Sequence, residues 1–269
     1  MPLFRVLRAV LVGTVLVLTG VYAFARHARR ASMFFPARYP EGAWETTAED
    51  HWYTATDGVK LHGWLFRASR PGAPLVVWIH GNAGNITGRA PTAAMLAEQG
   101  VPVFLAEFRG YGRSEGVPTE SGLYLDALAA HDYAAKLNPD IVMYGESLGG
   151  PFAAYVAKER KVRRVIIENS FPSLRELGNA LYSPIPVGWT APRAMTTQKW
   201  LNEAGAPVLV MHGKRDQVIP YHLGVALYEG LTVPKEMLTS ETAAHSEIPS
   251  VEGRRYYDAV VKFVTADGR

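Results

Sequence analysis

The chain has 269 residues, 48% of them hydrophobic, enough for one large α/β domain with a full core. Its net charge of +3 arises in the first thirty residues, where Arg5, Arg8, Arg26, Arg29 and Arg30 meet no acid; the rest is slightly acidic, which argues against a nucleic-acid partner. The absence of cysteine excludes disulfides, thiolate metal sites and a cysteine nucleophile, and leaves the compartment open. From Ala9 to Ala25 the sequence is uncharged and mostly Val, Leu and Ala. As a helix this run reaches about 25 Å, at the short end of what spans a bilayer. Residues 1–30 are read first as an uncleaved, single-pass N-terminal membrane anchor, with the side of the membrane undetermined because arginines flank both ends. The alternative is a signal peptide with Ala23-Phe24-Ala25 as its cleavage site.

Residues 31–50 read as an irregular connector. His51–Thr56 and Val59–Arg67 form two strands around the turn signal Asp57-Gly58. Leu75–Ile79 is a continuous apolar run, expected of a strand covered on both faces. Thereafter helices (Thr87–Gln99, Gly122–Leu137, Leu148–Glu159, Leu223–Glu229, Gly253–Val264) alternate with strands (Val101–Phe108, Ile141–Tyr144, Val162–Ile167, Pro207–Met211, Lys235–Thr239). That rhythm predicts a mostly parallel sheet with helices on both faces, a single α/β domain over 31–269. The segment 171–205 breaks it with Pro172, Pro184, Pro186, Pro192 and several large apolar residues. It is too long for a plain connection and is read as a lid over the strand ends; the plainer reading is a small helical decoration.

Gly145-Glu146-Ser147-Leu148-Gly149 follows a buried strand and opens a helix. That setting predicts a strand–turn–helix elbow presenting the Ser147 hydroxyl as a nucleophile, rather than a plain helix N-cap. Serine needs a base, and the base needs an acid to orient it. Asp216 and His245 each follow a strand in the polar runs His212-Gly-Lys-Arg-Asp216 and Thr242-Ala-Ala-His-Ser246, in the chain order such an elbow requires. Glu168, at the end of another strand, is the alternative acid. His80 and His212 precede glycines at strand ends and are read as loop braces. The backbone N–H of Leu148 and that of Asn82, with Ala83 as second choice, are the candidate oxyanion donors. No phosphate-binding glycine motif, His-Glu-x-x-His or acidic cluster is present, so neither a cofactor nor a metal is expected.

Five motifs together resemble the α/β-hydrolase superfamily: His80-Gly-Asn-Ala-Gly-Asn85, Phe108-Arg-Gly-Tyr-Gly-Arg-Ser-Glu-Gly116, Tyr144-Gly-Glu-Ser-Leu-Gly-Gly150, Glu168-Asn-Ser-Phe171 and His212-Gly-Lys-Arg-Asp-Gln-Val-Ile-Pro220. They are most similar to its membrane-anchored serine hydrolases. The resemblance covers about residues 33–265. It implies an eight-stranded sheet, Ser147, Asp216 and His245 as the triad, and an uncleaved anchor. One departure lies at Ala243-Ala244-His245-Ser246, where members more often have Gly before the His and Asn after it. The expectation is a membrane-tethered carboxylesterase acting on small-molecule esters, acyl-chain or lipid-derived. An amidase or peptidase on the same triad and a catalytically silent binding protein are the competing functions.

Overall fold

The computed structural model describes residues 4, 8, 12–17, 19–20, 34–38, 46–69, 72–182 and 195–267. The chain divides into two units, Met1–Phe35 and Pro36–Arg269. In the first, residues 12–17, 19 and 20 are helical. Among the described residues no helix is long and apolar enough to cross a membrane, which overturns the expected single-pass anchor and membrane location. The longest uninterrupted described helical run there, residues 12–17, rises only about 9 Å, against a hydrocarbon core of about 30 Å. Residues 21–30, including the alternative cleavage site Ala23-Phe24-Ala25, lie outside the described residues.

The second unit is built on eight strands: β1 (Glu49–Thr54), β2 (Lys60–Phe66), β3 (Leu75–Ile79), β4 (Val103–Ala106), β5 (Ile141–Glu146), β6 (Arg164–Glu168), β7 (Val208–Gly213) and β8 (Lys235–Ser240). They lie in the order β8-β7-β6-β5-β3-β4-β2-β1. β2 runs antiparallel to both β1 and β4, and all other pairs are parallel. The central strands β3 and β5 are buried along their whole length, as the apolar runs Leu75–Ile79 and Ile141–Tyr144 require.

Side chains alternate between the faces. Val76, Trp78, Val142, Tyr144, Ile166, Leu209 and Met211 join one core with α1 (Ala90–Glu98) and with Tyr256, Val260 and Phe263 of the last helix. The other face receives α2 (Glu120–Leu137) and α3 (Gly149–Glu159); Phe104 of β4, for example, packs against Tyr133 of α2 with ring centroids 5.8 Å apart. Thr119 caps α2 by accepting from Gly122 N–H.

Most elements fall within two or three residues of their sequence-based positions. The helix expected over Thr87–Gln99 begins instead as a 3-10 turn, Ile86–Arg89, because Pro91 cannot donate into the first turn of α1. The segment 171–205 contains two short helices, α4 (Leu174–Leu181) and α5 (Thr197–Ala204). Trp200 of α5 packs edge-on against Tyr155 of α3 and Tyr124 of α2. Residues 183–194, on which much of the lid reading rests, lie outside the described residues. The remaining helices are α6 (Tyr221–Glu229), α7 (Ile248–Glu252) and α8 (Arg254–Thr265). Because β3, β5, β6, β7 and β8 are parallel, the loops leaving their carboxyl ends gather at one edge of the sheet.

Candidate active site

The turn between β5 and α3 carries Ser147 at φ +53°, in the left-handed region that a residue with a Cβ adopts at a cost of roughly 1–2 kcal/mol. Its surroundings hold it there. Ser147 N–H donates to the Glu168 carbonyl at 2.8 Å, and the Ser147 carbonyl accepts from Gly150 N–H at 3.0 Å and from the Ser170 hydroxyl at 2.8 Å. The flanking glycines permit the tight packing. A Cβ on Gly145 would stand 2.6 Å from Gly150 Cα, and one on Gly149 would overlap the Ile79 carbonyl.

His245, in the loop after β8, places Nε2 3.0 Å from Ser147 Oγ. Its Nδ1 lies 2.8 Å from Oδ2 of Asp216, in the loop after β7. A carboxylate can only accept, so Nδ1 carries the proton and Nε2 turns a lone pair to the serine hydroxyl. Asp216 is fixed in turn: Oδ1 accepts from Val218 and Ile219 N–H, each at 2.8 Å. Burial alone would raise this carboxyl's pKa. Hydrogen bonds from His212 and His245, the His245 charge and Ile219 N–H outweigh burial and hold it well below the usual carboxylate range. His212 braces the loop, with Nε2 2.9 Å from the Ile219 carbonyl and 3.4 Å from Asp216 Oδ2. His80 likewise braces its own loop, with Nδ1 2.7 Å from the Gly81 carbonyl.

Glu168 is not brought to His245. Its carboxyl receives the Tyr144 hydroxyl, which is itself 2.9 Å from the Tyr256 hydroxyl in the core. Burial, reinforced by the charge of Glu146, pushes Glu168 up to about 8, so it is a neutral acid at pH 7.

Leu148 stands at the amino end of α3, where unpaired N–H groups and the helix dipole favour negative charge. The Asn82 loop lies over the elbow: a Cβ on Gly81 would stand 3.2 Å from Ser147 Cβ. Tyr111 donates its hydroxyl to the Asn82 carbonyl at 2.8 Å and so orients the Asn82–Ala83 peptide, which carries the Ala83 N–H. Ala83 is exposed, and its carbonyl accepts from Arg89. Among the described residues no group of His, Asp and Glu forms a metal site.

Sequence reasoning passed over Arg89, Glu146 and Ser246, which join the loops around Ser147. A signal was present: a carboxyl at the end of a strand covered on both faces must be paired with a cation or held neutral, and Glu146 is paired. Nothing local said that its partner stands fifty-seven positions earlier.

Comparison with known proteins places this geometry in a family. The family model described as Serine aminopeptidase, S33, matches residues 71–180, which contain both the Asn82 loop and Ser147. The protein YfhR of Salmonella typhimurium is 31% identical over 272 residues, covering 93% of this chain and 92% of its own length. The alpha/beta hydrolase domain-containing protein WAV2 of Arabidopsis thaliana is 31% identical over 199 residues, 65% of this chain and 64% of its own. Among solved structures, an esterase of Pyrococcus furiosus superposes with a TM-score of 0.70 at 21% identity, covering 86% of this chain and 97% of that one. That likeness concerns the fold. The chain belongs to the α/β-hydrolase family.

Proposed function

We propose that the protein is a serine hydrolase that cleaves small-molecule carboxylic esters through an acyl-enzyme. The observation that carries this reading is the line from Asp216 Oδ2 through the His245 ring to Ser147 Oγ, with contacts of 2.8 and 3.0 Å. His245 Nε2 takes the serine proton as Oγ attacks the ester carbonyl, and Asp216 stabilises the imidazolium that forms. The N–H groups of Leu148 and Asn82 receive the oxyanion; each such donor is worth about 10²–10³ in rate. The imidazolium then protonates the leaving alcohol, and water, deprotonated by the same ring, releases the acid. The expectation of lipid-derived substrates drew on the anchor as well as on 171–205. With the anchor overturned, the proposal is confined to small-molecule esters.

Amide cleavage is the second reading, favoured by the match of residues 71–180 to the serine aminopeptidase model. Paired p-nitrophenyl esters and p-nitroanilides with the same acyl groups separate the two. The proposal expects ester kcat/KM to exceed amide by about 10³-fold or more, and Ser147→Ala to lose about 10⁴-fold or more. Equal or faster anilide cleavage favours the peptidase. Wild-type ester rates in Ser147→Ala sink both.

A further inference from the structure

Beside Ser147 lies a buried ion pair that the proposed chemistry does not use. Glu146 ends β5, one residue before the serine, and is almost wholly buried. Arg89, at the end of the 3-10 turn that follows the Asn82 loop, meets it as a fork: Nε is 2.9 Å from Oε2 and Nη2 is 2.7 Å from Oε1. Nη1 of the same guanidinium donates to the carbonyls of Ala83 at 3.3 Å and Asn85 at 3.1 Å, both in the Asn82 loop. The Ser246 hydroxyl, next in the chain after His245, donates to Glu146 Oε1 at 2.9 Å. Ser246 holds φ +60° to do so. Three loops, bearing the candidate oxyanion donor, nucleophile and base, therefore meet at one guanidinium and one carboxylate. The approach is close: a Cβ on Gly81 would stand 3.5 Å from Glu146 Oε1 and 3.6 Å from Arg89 Nη2.

We infer that Arg89 and Glu146 are positioning residues, whose ion pair locks the Asn82 loop, the Ser147 elbow and the His245 loop in register. The inference rests on the serine-hydrolase reading for its catalytic meaning. Lysine at position 89 keeps the charge and loses the fork. Glutamine at 146 keeps the size and removes the carboxylate that the fork grips.

The test measures the rate at which a fluorophosphonate labels Ser147, together with kcat and KM for a p-nitrophenyl ester. Arg89→Lys, with the charge kept and the fork lost, is expected to slow labelling and lower kcat about tenfold or more with KM little changed. Glu146→Gln is expected to do the same, and Arg89→Lys combined with Glu146→Gln to lose no more than the worse single variant, because both break one lock. Wild-type labelling in Arg89→Lys, or losses that multiply in the double variant, overturns the inference. Should Glu146→Gln not fold, the Arg89→Lys labelling rate decides alone. A wild-type protein that takes up no label and cleaves no ester counts against the hydrolase reading and not against the lock, which is then read by hydrogen exchange of the three loops: protection unchanged in Arg89→Lys overturns the inference.

Discussion

Replacing Asp216 by Asn changes one atom and, by the geometry, reverses a tautomer. Oδ1 of Asp216 accepts two backbone N–H groups, from Val218 and Ile219, each at 2.8 Å. Asparagine has one oxygen, and leaving two buried donors facing an NH₂ costs several kcal/mol. The oxygen therefore stays with the backbone, and the NH₂ turns to His245 Nδ1, where Oδ2 now lies at 2.8 Å. Nδ1 must become the acceptor, the ring proton moves to Nε2, and Nε2 can no longer take the proton of Ser147. The loss expected is about 10⁴-fold in kcat, or ~5 kcal/mol of transition-state stabilisation. Because the two backbone bonds survive, Tm should move by only a few degrees. Hydrolysis of a short-chain p-nitrophenyl ester from pH 5 to 10, with thermal unfolding of both proteins, measures the two quantities. A loss below tenfold, or a loss accompanied by gross destabilisation, refutes the tautomer argument.

Two further outcomes follow from the surrounding core. Gly149→Ala drives a methyl into the Ile79 carbonyl and to 2.7 Å from that of His80, both backbone atoms that cannot rotate away. It should cost about 3 kcal/mol or more and lower Tm by roughly 6–12 °C in calorimetry, and an unchanged Tm would contradict the close packing of the elbow. Glu168 is held up at about 8, so the folded state binds its proton over a range in which the unfolded chain has released it. The stability this contributes is full below pH 4.5 and is lost as pH rises to about 8, on the order of 5 kcal/mol across the window. Urea unfolding between pH 5 and 9 should show that decline in wild type and a flatter curve in Glu168→Gln; parallel curves would refute the assignment.

Much of this was legible in the sequence because it is local. The apolar runs Leu75–Ile79 and Ile141–Tyr144 read as buried strands, since only a strand covered on both faces tolerates such composition in so few residues. The elbow read from its glycines, and Asp216 and His245 read from chain order, because parallel strands bring their following loops to one edge. The short helices α4 and α5 were not placed, although a small helical decoration was the plainer reading of 171–205. Eight residues give a weak periodic signal, and the prolines between them dominate the composition. Hydropathy misled at the other end: the run from Ala9 to Ala25 is apolar, yet among the described residues no helix is long and apolar enough to cross a membrane. Nor did the Arg89–Glu146 pair read, since its meaning lies in a contact across two loops. Ser246 stands where the resemblance led to an expectation of Asn. Its left-handed backbone and its bond to Glu146 show that serine fills that position.

The central claim is that Ser147 is a nucleophile activated by His245. Intact-protein and peptide mass spectrometry after fluorophosphonate treatment tests it most directly. The account expects one phosphonyl adduct, on the peptide containing Ser147, formed rapidly in wild type, abolished in Ser147→Ala and slowed by several orders of magnitude in His245→Asn. An adduct elsewhere, or equal labelling of wild type and Ser147→Ala, would contradict it.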